Sequence, residues 1–278
     1  MNAALVPQEI SHALTVGLRP TGLSVTPLRL GSEIEILGET GSTNDVVTDR
    51  AAAGAAEGLA VFAERQTAGR GRKAVDWIAP PRQNLTFSVL LRPGIPLADW
   101  SRFAHAAGLA VIRGAEPWAE NRRLQLKWPN DVLCEGRKLA GILLETGTRR
   151  GQSFLVLGIG LNVNSMPDDF PPDLSSDVCS VRWLSGGQDV DRSALAGSIL
   201  AELNRAYDQA MTDFGSLLPE ISRRSCLLGR RIEFRHQDAW KEAEVVGFGP
   251  NGELSVREDD HSHNQLILSA EHVRVTQK

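Results

Sequence analysis

From Glu33 onward, "EIEILGET" alternates polar and apolar residues and stops at Gly38, which is the period of a half-buried strand. "GSTNDVVTDRAAAGAAEG" then shifts to helical spacing. Ser42 with Asp45 three residues on forms a capping box, and Gly54 is placed to end the helix. "LAVFAERQ" and "NLTFSVLLRP" read as apolar-rich strands, the second closed by Pro93 and Gly94. In "ADWSRFAHAAGLAVIRGA", Phe103, Ala106, Ala107, Ala110 and Val111 recur at helical spacing, so a buried helix is expected. "LQLKWPND" is a strand broken by Pro129. "RKLAGILLET" and "SFLVLGIGLNVN" are two more strands, paired antiparallel through "GTRRGQ". "DDFPPDLSS" is a loop, and Asp191 or Ser193 caps a helix carrying Leu195, Ile199, Leu200, Leu203 and Ala206. One layer of mixed sheet and one of helices make an α+β domain.

Two regions depart from this texture. Residues 1–32 hold scattered Pro and Gly with weak periodicity, too little for a separate domain and without the helices of a helix-turn-helix. After Cys226, "RRIEFRH", "KEAEVVGFG", "GELSVRED", "NQLILSA" and "HVRVTQK" are short strands between turns, which predicts a small β-barrel. The expected division is a 1–32 extension, a 33–225 main domain and a 226–278 barrel. Gly247, Gly249 and Gly252 spell GxGxxG, but the run joins two strands and ends in the hairpin pair Asn251-Gly252. A dinucleotide motif must open a helix, so this one is read as a turn.

The 278 residues carry a formal charge of 30 − 34 = −4, which argues against a duplex-binding protein but leaves room for a local cationic pocket. Cys134, Cys179 and Cys226 are scattered, with no CxxC pairing, so neither a disulfide framework nor a zinc site is expected. Idle thiols suit a reducing cytoplasm. No apolar run approaches the ~18 residues that span a bilayer. The first residues lack a basic leader, so the Asn84-Leu85-Thr86 sequon is discounted.

Four segments at strand ends carry candidate chemistry. Gly41-Ser42-Thr43-Asn44 opens a helix, either as a plain cap or as a polar-ligand site. "ERQTAGRGRKAVDW" packs glycines that admit a ligand to the backbone beside arginines that fit carboxylate or phosphate. The alternative there is a solvated basic turn or a nucleic-acid contact. "KWPND" and "RKLAG" bring two lysines, an amide and a carboxylate close together, although Lys127 and Lys138 taken singly read equally well as exposed. "GIGLNVN" places Gly158 and Gly160 inside an apolar strand, marking either close approach of a ligand or a bulge.

Taken in order, "STN" (42–44), "ERQTAGRGR" (64–72), Trp77, "KWPND" (127–131), "KLAGIL" (138–143) and "GIGLNVN" (158–164) closely resemble the biotin protein ligase family, in its form without an N-terminal DNA-binding domain. The resemblance implies a class II aminoacyl-tRNA-synthetase-like catalytic fold with a C-terminal Src-homology-3-like barrel. It implies activation of biotin by ATP to biotinyl-5′-adenylate, then transfer to one lysine of a biotin carboxyl carrier protein of acetyl-CoA carboxylase. By resemblance, biotin is held by Ser42, Thr43, Asn44, Gln66, Gly69, Arg70 and Gly71. Arg72 and Lys138 hold its carboxylate against the α-phosphate. Lys127, Asn130 and Asn162 serve ATP, Mg²⁺ accompanies the triphosphate, and no dedicated metal cage is expected. Asp131 is the expected catalytic carboxylate for the transfer step, with Arg72 and Lys138 completing the catalytic set. A monomer or homodimer without nucleic-acid or membrane partners is expected. Where family loops continue "GRGR" with another Gly and Arg, this chain has Lys73, Ala74 and Val75. Trp183 is a weakly aligned candidate to stack on adenine. Rival readings are a lipoate or octanoate–protein ligase of the same fold, a biotin-responsive transcription repressor, and an RNA-binding module.

Overall fold

The structure, a computed structural model, describes residues 3–18, 29–120, 122–236, 239–258, 264–268 and 273–276. Helix α1 (Pro7–Leu18) precedes strand β1 (Glu33–Leu37), helix α2 (Thr43–Ala53), β2 (Leu59–Ala63) and β3 (Leu85–Leu91). Helix α3 (Arg102–Ala115), β4 (Leu124–Lys127), β5 (Asp131–Cys134), β6 (Arg137–Arg149) and β7 (Gln152–Leu161) follow. The main domain closes with α4 (Val181–Leu184), α5 (Arg192–Thr212) and α6 (Leu218–Arg224). Its seven strands form one mixed sheet in the order β1-β2-β3-β7-β6-β5-β4, with only β1 and β2 parallel.

Alternation along the strands sets the two faces of this sheet. Leu85, Phe87, Val89 and Leu91 of β3, with Leu155, Leu157, Ile159 and Leu161 of β7, pack into the main core with α3 and α5. The opposite face has a smaller apolar patch, where Leu90 and Val156 meet Val47 and Ala51 of α2. Beyond that patch the same face carries Thr86, Ser88, Gly158 and Gly160, with Thr86 beside Gly160 and Ser88 beside Gly158. The apolar cover therefore stops where small and polar residues begin.

The weak pattern of residues 1–32 does contain a helix. Ile10 and Leu14, one turn apart and fully buried, seat α1 against α5. Two such positions make little periodicity, and a helix this short owes its stability to packing. A buried ion pair fastens the segment ahead of it. Arg192 Nη1 lies 2.7 Å from Glu64 Oε2, Leu5 N–H donates to Glu64 Oε1 at 2.7 Å, and Arg192 Nη2 donates to Ala3 O at 2.6 Å. The charges satisfy each other at the end of β2, just ahead of the glycine-arginine loop.

Five strands follow α6: β8 (Arg231–His236), β9 (Ala239–Phe248), β10 (Leu254–Arg257), β11 (Gln265–Ile267) and β12 (Val273–Val275), an antiparallel sheet ordered β11-β10-β9-β8-β12. Parts of the last expected strand segments, at 269–270, 272 and 277–278, lie outside the described residues. The small core of Ile232, Phe234, Val245, Leu254, Val256 and Ile267 takes in Trp128 from the main domain. Trp128 Nε1 donates to Gly252 O at 3.1 Å, and His105 Nε2 shares that carbonyl at 2.8 Å. Gly252 has φ 83, and a Cβ there would strike the His105 ring. The Trp of "KWPND" thus pins the β4–β5 turn to the small domain.

Candidate active site

The four segments converge on the open part of the sheet's second face. There they bound a cavity of about 430 Å³. Its floor is β7 and β6, where Gly158 lies beside Leu143 and Gly160 beside Gly141 in register. A Cβ on Gly158 would run into the Asn44 carboxamide, and one on Gly160 into the Trp77 ring. The glycines of "GIGLNVN" mark close approach of those side chains.

At one end, Ser42, Thr43 and Asn44 open α2 and are all buried. The expected capping box does not form. Ser42 makes no side-chain cap, and Asp45 turns to Arg70, whose Nη1 and Nη2 reach it at 2.9 and 2.6 Å. A charge-assisted bidentate contact outweighs a neutral cap. Thr43 N–H donates to Gln66 Oε1 at 2.8 Å, and Thr67 and Ala68 donate to Thr40 O and Gly41 O, each at 2.9 Å, so the two loops run together. Arg70 also reaches Glu145 at 3.2 and 3.0 Å. Both carboxylates hold the Arg70 charge and raise its pKa above the ordinary guanidinium value, the Asp45 hydrogen bond most strongly.

The basic loop is a short hairpin. Trp77 N–H donates to Gly69 O at 2.9 Å and Gly71 N–H to Val75 O at 2.7 Å, with Arg72–Ala74 at the tip. Lys73 there has φ 56, the left-handed region. Gly69 packs behind the wall, where a Cβ would lie 2.8 Å from Trp77 O.

At the other end the hairpin faces β5 and β6. Arg72 is half-buried and lies 3.4 Å from Asn130 Oδ1. Burial lowers its pKa, with Asp131 opposing. Among the described residues no carboxylate is in ion-pair contact with it. Asn130 is fixed from both sides: its Nδ2 donates to Ile142 O at 2.9 Å, while Ile142 N–H donates to Asn130 O at 2.8 Å. Lys138 Nζ lies 2.8 Å from Asp131 Oδ1, an ionic contact rather than an aligned hydrogen bond, and 5.5 Å from the Trp77 ring. Trp77 Nε1 is buried with no hydrogen-bond partner among the described residues. No cluster of three or more His, Cys, Asp or Glu side chains gathers among the described residues.

The cavity thus brings together Ser42, Thr43, Asn44, Gln66, Arg70, Gly71, Arg72, Asn130, Asp131 and Lys138. Gly69, Lys127 and Asn162 are not on its wall. Lys127 ends β4, whose edge is covered where Cys226 N–H donates to Leu126 O at 2.9 Å. Asn162 is buried behind Lys138, its N–H donating to Leu139 O at 3.0 Å and its amide reaching Lys138 O at 3.4 Å. Trp183 lies under Arg122 and Arg137, at 4.1 and 5.6 Å, away from the cavity. Glu145 and Ser88, which hold Asn44, were not among the expected residues. Their signal in the sequence is alternation, since Glu145 shares a strand face with Gly141 and Leu143.

Residues 39–164 match the biotin/lipoate A/B protein ligase family. The chain is 38% identical over 204 residues to the biotin–[acetyl-CoA-carboxylase] ligase of Mycobacterium tuberculosis, covering 72% of this chain and 73% of that protein. It is 34% identical over 202 residues to the bifunctional ligase/repressor BirA of Bacillus subtilis, covering 70% of this chain and 62% of that protein. The biotin protein ligase of Aquifex aeolicus, solved in complex with biotin and ATP, superposes with a TM-score of 0.77 at 25% identity, covering 88% of this chain and all of that one.

Proposed function

We propose that this chain, which belongs to the biotin/lipoate A/B protein ligase family and within it to the biotin protein ligases, works by holding two anions together in one cavity. The enzyme joins biotin to ATP as biotinyl-5′-adenylate, releasing pyrophosphate, and passes the biotinyl group to a lysine of an acetyl-CoA carboxylase carrier domain, releasing AMP. The observation that carries this reading is the sequence of groups along the cavity. A polar end at Thr43, Asn44 and Gln66 leads over Gly158 and Gly160 to Trp77, then to Lys138 and Arg72.

Adenylation drives a carboxylate onto a phosphate. At ~4 Å and an effective dielectric near 20, two unit charges repel by about 4 kcal/mol. No proton must be removed in this step. What it needs is oriented cations and exclusion of water. Arg72, free of a carboxylate partner among the described residues, is placed to receive the incoming anions. Lys138 joins it when an anion competes with Asp131 for the ammonium. Mg²⁺ would offset charge on the ATP phosphates, and since no His, Cys, Asp or Glu cluster forms among the described residues, the phosphates rather than a protein cage would hold it. Asn130 lies beside Arg72, on the nucleotide side. Lys127 and Asn162, which do not line the cavity, are assigned to the nucleotide by the resemblance alone.

Transfer does need a base. An acceptor lysine of ordinary pKa is neutral in only about 0.04% of molecules at pH 7. Asp131, released from Lys138, is the carboxylate at the reacting end that orients or deprotonates that amine. The working division is a catalytic unit up to residue 225, which takes in α1 as part of its core rather than leaving 1–32 as a separate extension, and a small domain at 226–278 whose core receives Trp128, in a cytoplasmic protein without nucleic-acid partners. Among the described residues no helix is long and apolar enough to cross a membrane.

Exchange of labelled pyrophosphate into ATP tests the first step. Exchange should depend on biotin and not on lipoate or octanoate. Exchange driven by lipoate and not by biotin would overturn the assignment in favour of the lipoate branch of the family.

A further inference from the structure

The polar end of the cavity rests on a chain of hydrogen bonds whose direction is fixed from one end. Glu145 Oε2 accepts from Asn44 Nδ2 at 2.5 Å, while Arg70 holds the same carboxylate. A carboxylate only accepts, so Asn44 must give it the NH₂ group and turn Oδ1 away. Asn44 Oδ1 meets Ser88 Oγ at 2.5 Å, and Ser88, fully buried, must direct its single proton there. Ser88 Oγ is 2.7 Å from Thr43 Oγ1, so the remaining proton on that contact comes from Thr43. Thr43 Oγ1 also sits 3.1 Å from Gln66 Oε1, but its one proton is committed to Ser88, so Gln66 Oε1 takes its hydrogen bond from the Thr43 backbone N–H, at 2.8 Å. Thr43 Oγ1 therefore keeps its lone pairs, and Gln66 keeps Nε2 as a donor. Thr43 and Gln66 line the cavity, whereas Ser88 and Glu145 do not. An acceptor beside a donor matches the N–H and C=O of a cyclic urea.

We propose that Glu145 is a positioning residue for biotin recognition: it fixes the Asn44 carboxamide, orders the protons through Ser88, and so presets Thr43 and Gln66 for the ureido group. The inference rests on the reading of this cavity as a biotin site. It goes further by assigning a role to two residues that touch no ligand. A Glu145 serving only as a tether for Arg70 would leave Ser88 without influence.

The full chain is compared as wild type, Glu145→Gln, Glu145→Asp, Ser88→Ala and the Glu145→Gln/Ser88→Ala double variant. Biotin-dependent pyrophosphate exchange gives KM for biotin and ATP and kcat, and thermal melting reports folding. A carboxamide at 145 can donate, which lets Asn44 flip and frees the order. Glu145→Gln and Ser88→Ala should each raise KM for biotin about tenfold, the scale of one hydrogen bond. KM for ATP and kcat should stay within about twofold, because the losses belong to the ureido end. Glu145→Asp, still acceptor-only, should recover part of the loss. The double variant should be no worse than about the weaker single, since both cut one chain. Losses that multiply, losses in kcat or ATP KM, or an unchanged KM for biotin would overturn the ordering. If Glu145→Gln melts out, Ser88→Ala alone decides, through the same split between biotin and ATP. A wild type without biotin-dependent exchange overturns the biotin reading and this proposal with it, whereas an active wild type with silent variants overturns the ordering alone.

Discussion

The two faces of the seven-stranded sheet are written in the same strands and differ in every alternate residue. On one face, Leu155, Leu157, Ile159 and Leu161 fill the core. On the other, Val156, Gly158 and Gly160 run from apolar cover into open cavity. A fully buried Val or Leu side chain contributes roughly 1.5–3 kcal/mol. The cavity face forgoes that contribution at Gly158, Gly160 and Gly141, and it buries Thr43, Asn44 and Ser88 in hydrogen bonds instead. One face carries the stability and the other the chemistry, so substitutions on the two should fail in different ways.

The sharpest separation is expected at Asp131. Asp131→Asn keeps the shape of the cavity and removes a base. Transfer to the carrier should fall by about 10²–10⁴-fold, with biotin-dependent pyrophosphate exchange and the melting temperature close to wild type. Equal loss in both half-reactions would show that Asp131 serves the whole site. The next contrast sets neighbouring residues of β7 against each other. Gly160→Val drives a side chain into Trp77, and kcat/KM for biotin should drop at least about a hundredfold, or ~3 kcal/mol of transition-state binding. Leu157→Ala should destabilise the fold by about 2–5 kcal/mol in urea unfolding, leaving KM for biotin unchanged at low temperature. If the two variants behaved alike, the division between faces would be wrong.

His105 extends the comparison to the seam with the small domain. Burial lowers its pKa from 6.5 to about 4, against the Gly252 carbonyl and Glu253. Between those values the unfolded chain takes up a proton that the folded chain does not, so stability is full above pH 6.5 and falls as pH drops towards 4. The whole loss is about 3 kcal/mol. His105→Gln should flatten the difference between urea midpoints measured at pH 7 and pH 5. An undiminished difference would mean that another group carries it. The smallest effect concerns retention of the intermediate. Arg72→Gly should release biotinyl-adenylate roughly tenfold faster, the cost of one charged contact, seen as stray biotin on bystander lysines. Unchanged retention would remove Arg72 from the clamp.

The strands and their pairing were legible because β6 and β7 are apolar-rich runs joined across a short turn. The glycines of β7 were legible as places of close approach, although what approaches, Asn44 and Trp77, was not. Helix α1 was hidden because Ile10 and Leu14 alone carry its burial. The capping box failed because Asp45 is claimed by an arginine 25 positions away. Lys127 and Asn162 lie within shared segments but not on the cavity wall, so the geometry adds nothing to the role that the resemblance gives them. Glu145 went unseen because an acid late in an apolar strand reads as a solvated residue until the fold brings Arg70 and Asn44 to it.

The central claim is that one cavity activates biotin and hands it on. Its most direct test is to incubate the purified chain with biotin, ATP, Mg²⁺ and an apo biotin carboxyl carrier domain, then measure the mass of the carrier. The expected result is the addition of one biotinyl group to a single lysine, dependent on ATP and lost in Gly160→Val. An unmodified carrier, under conditions where an established biotin protein ligase labels it, would contradict the account.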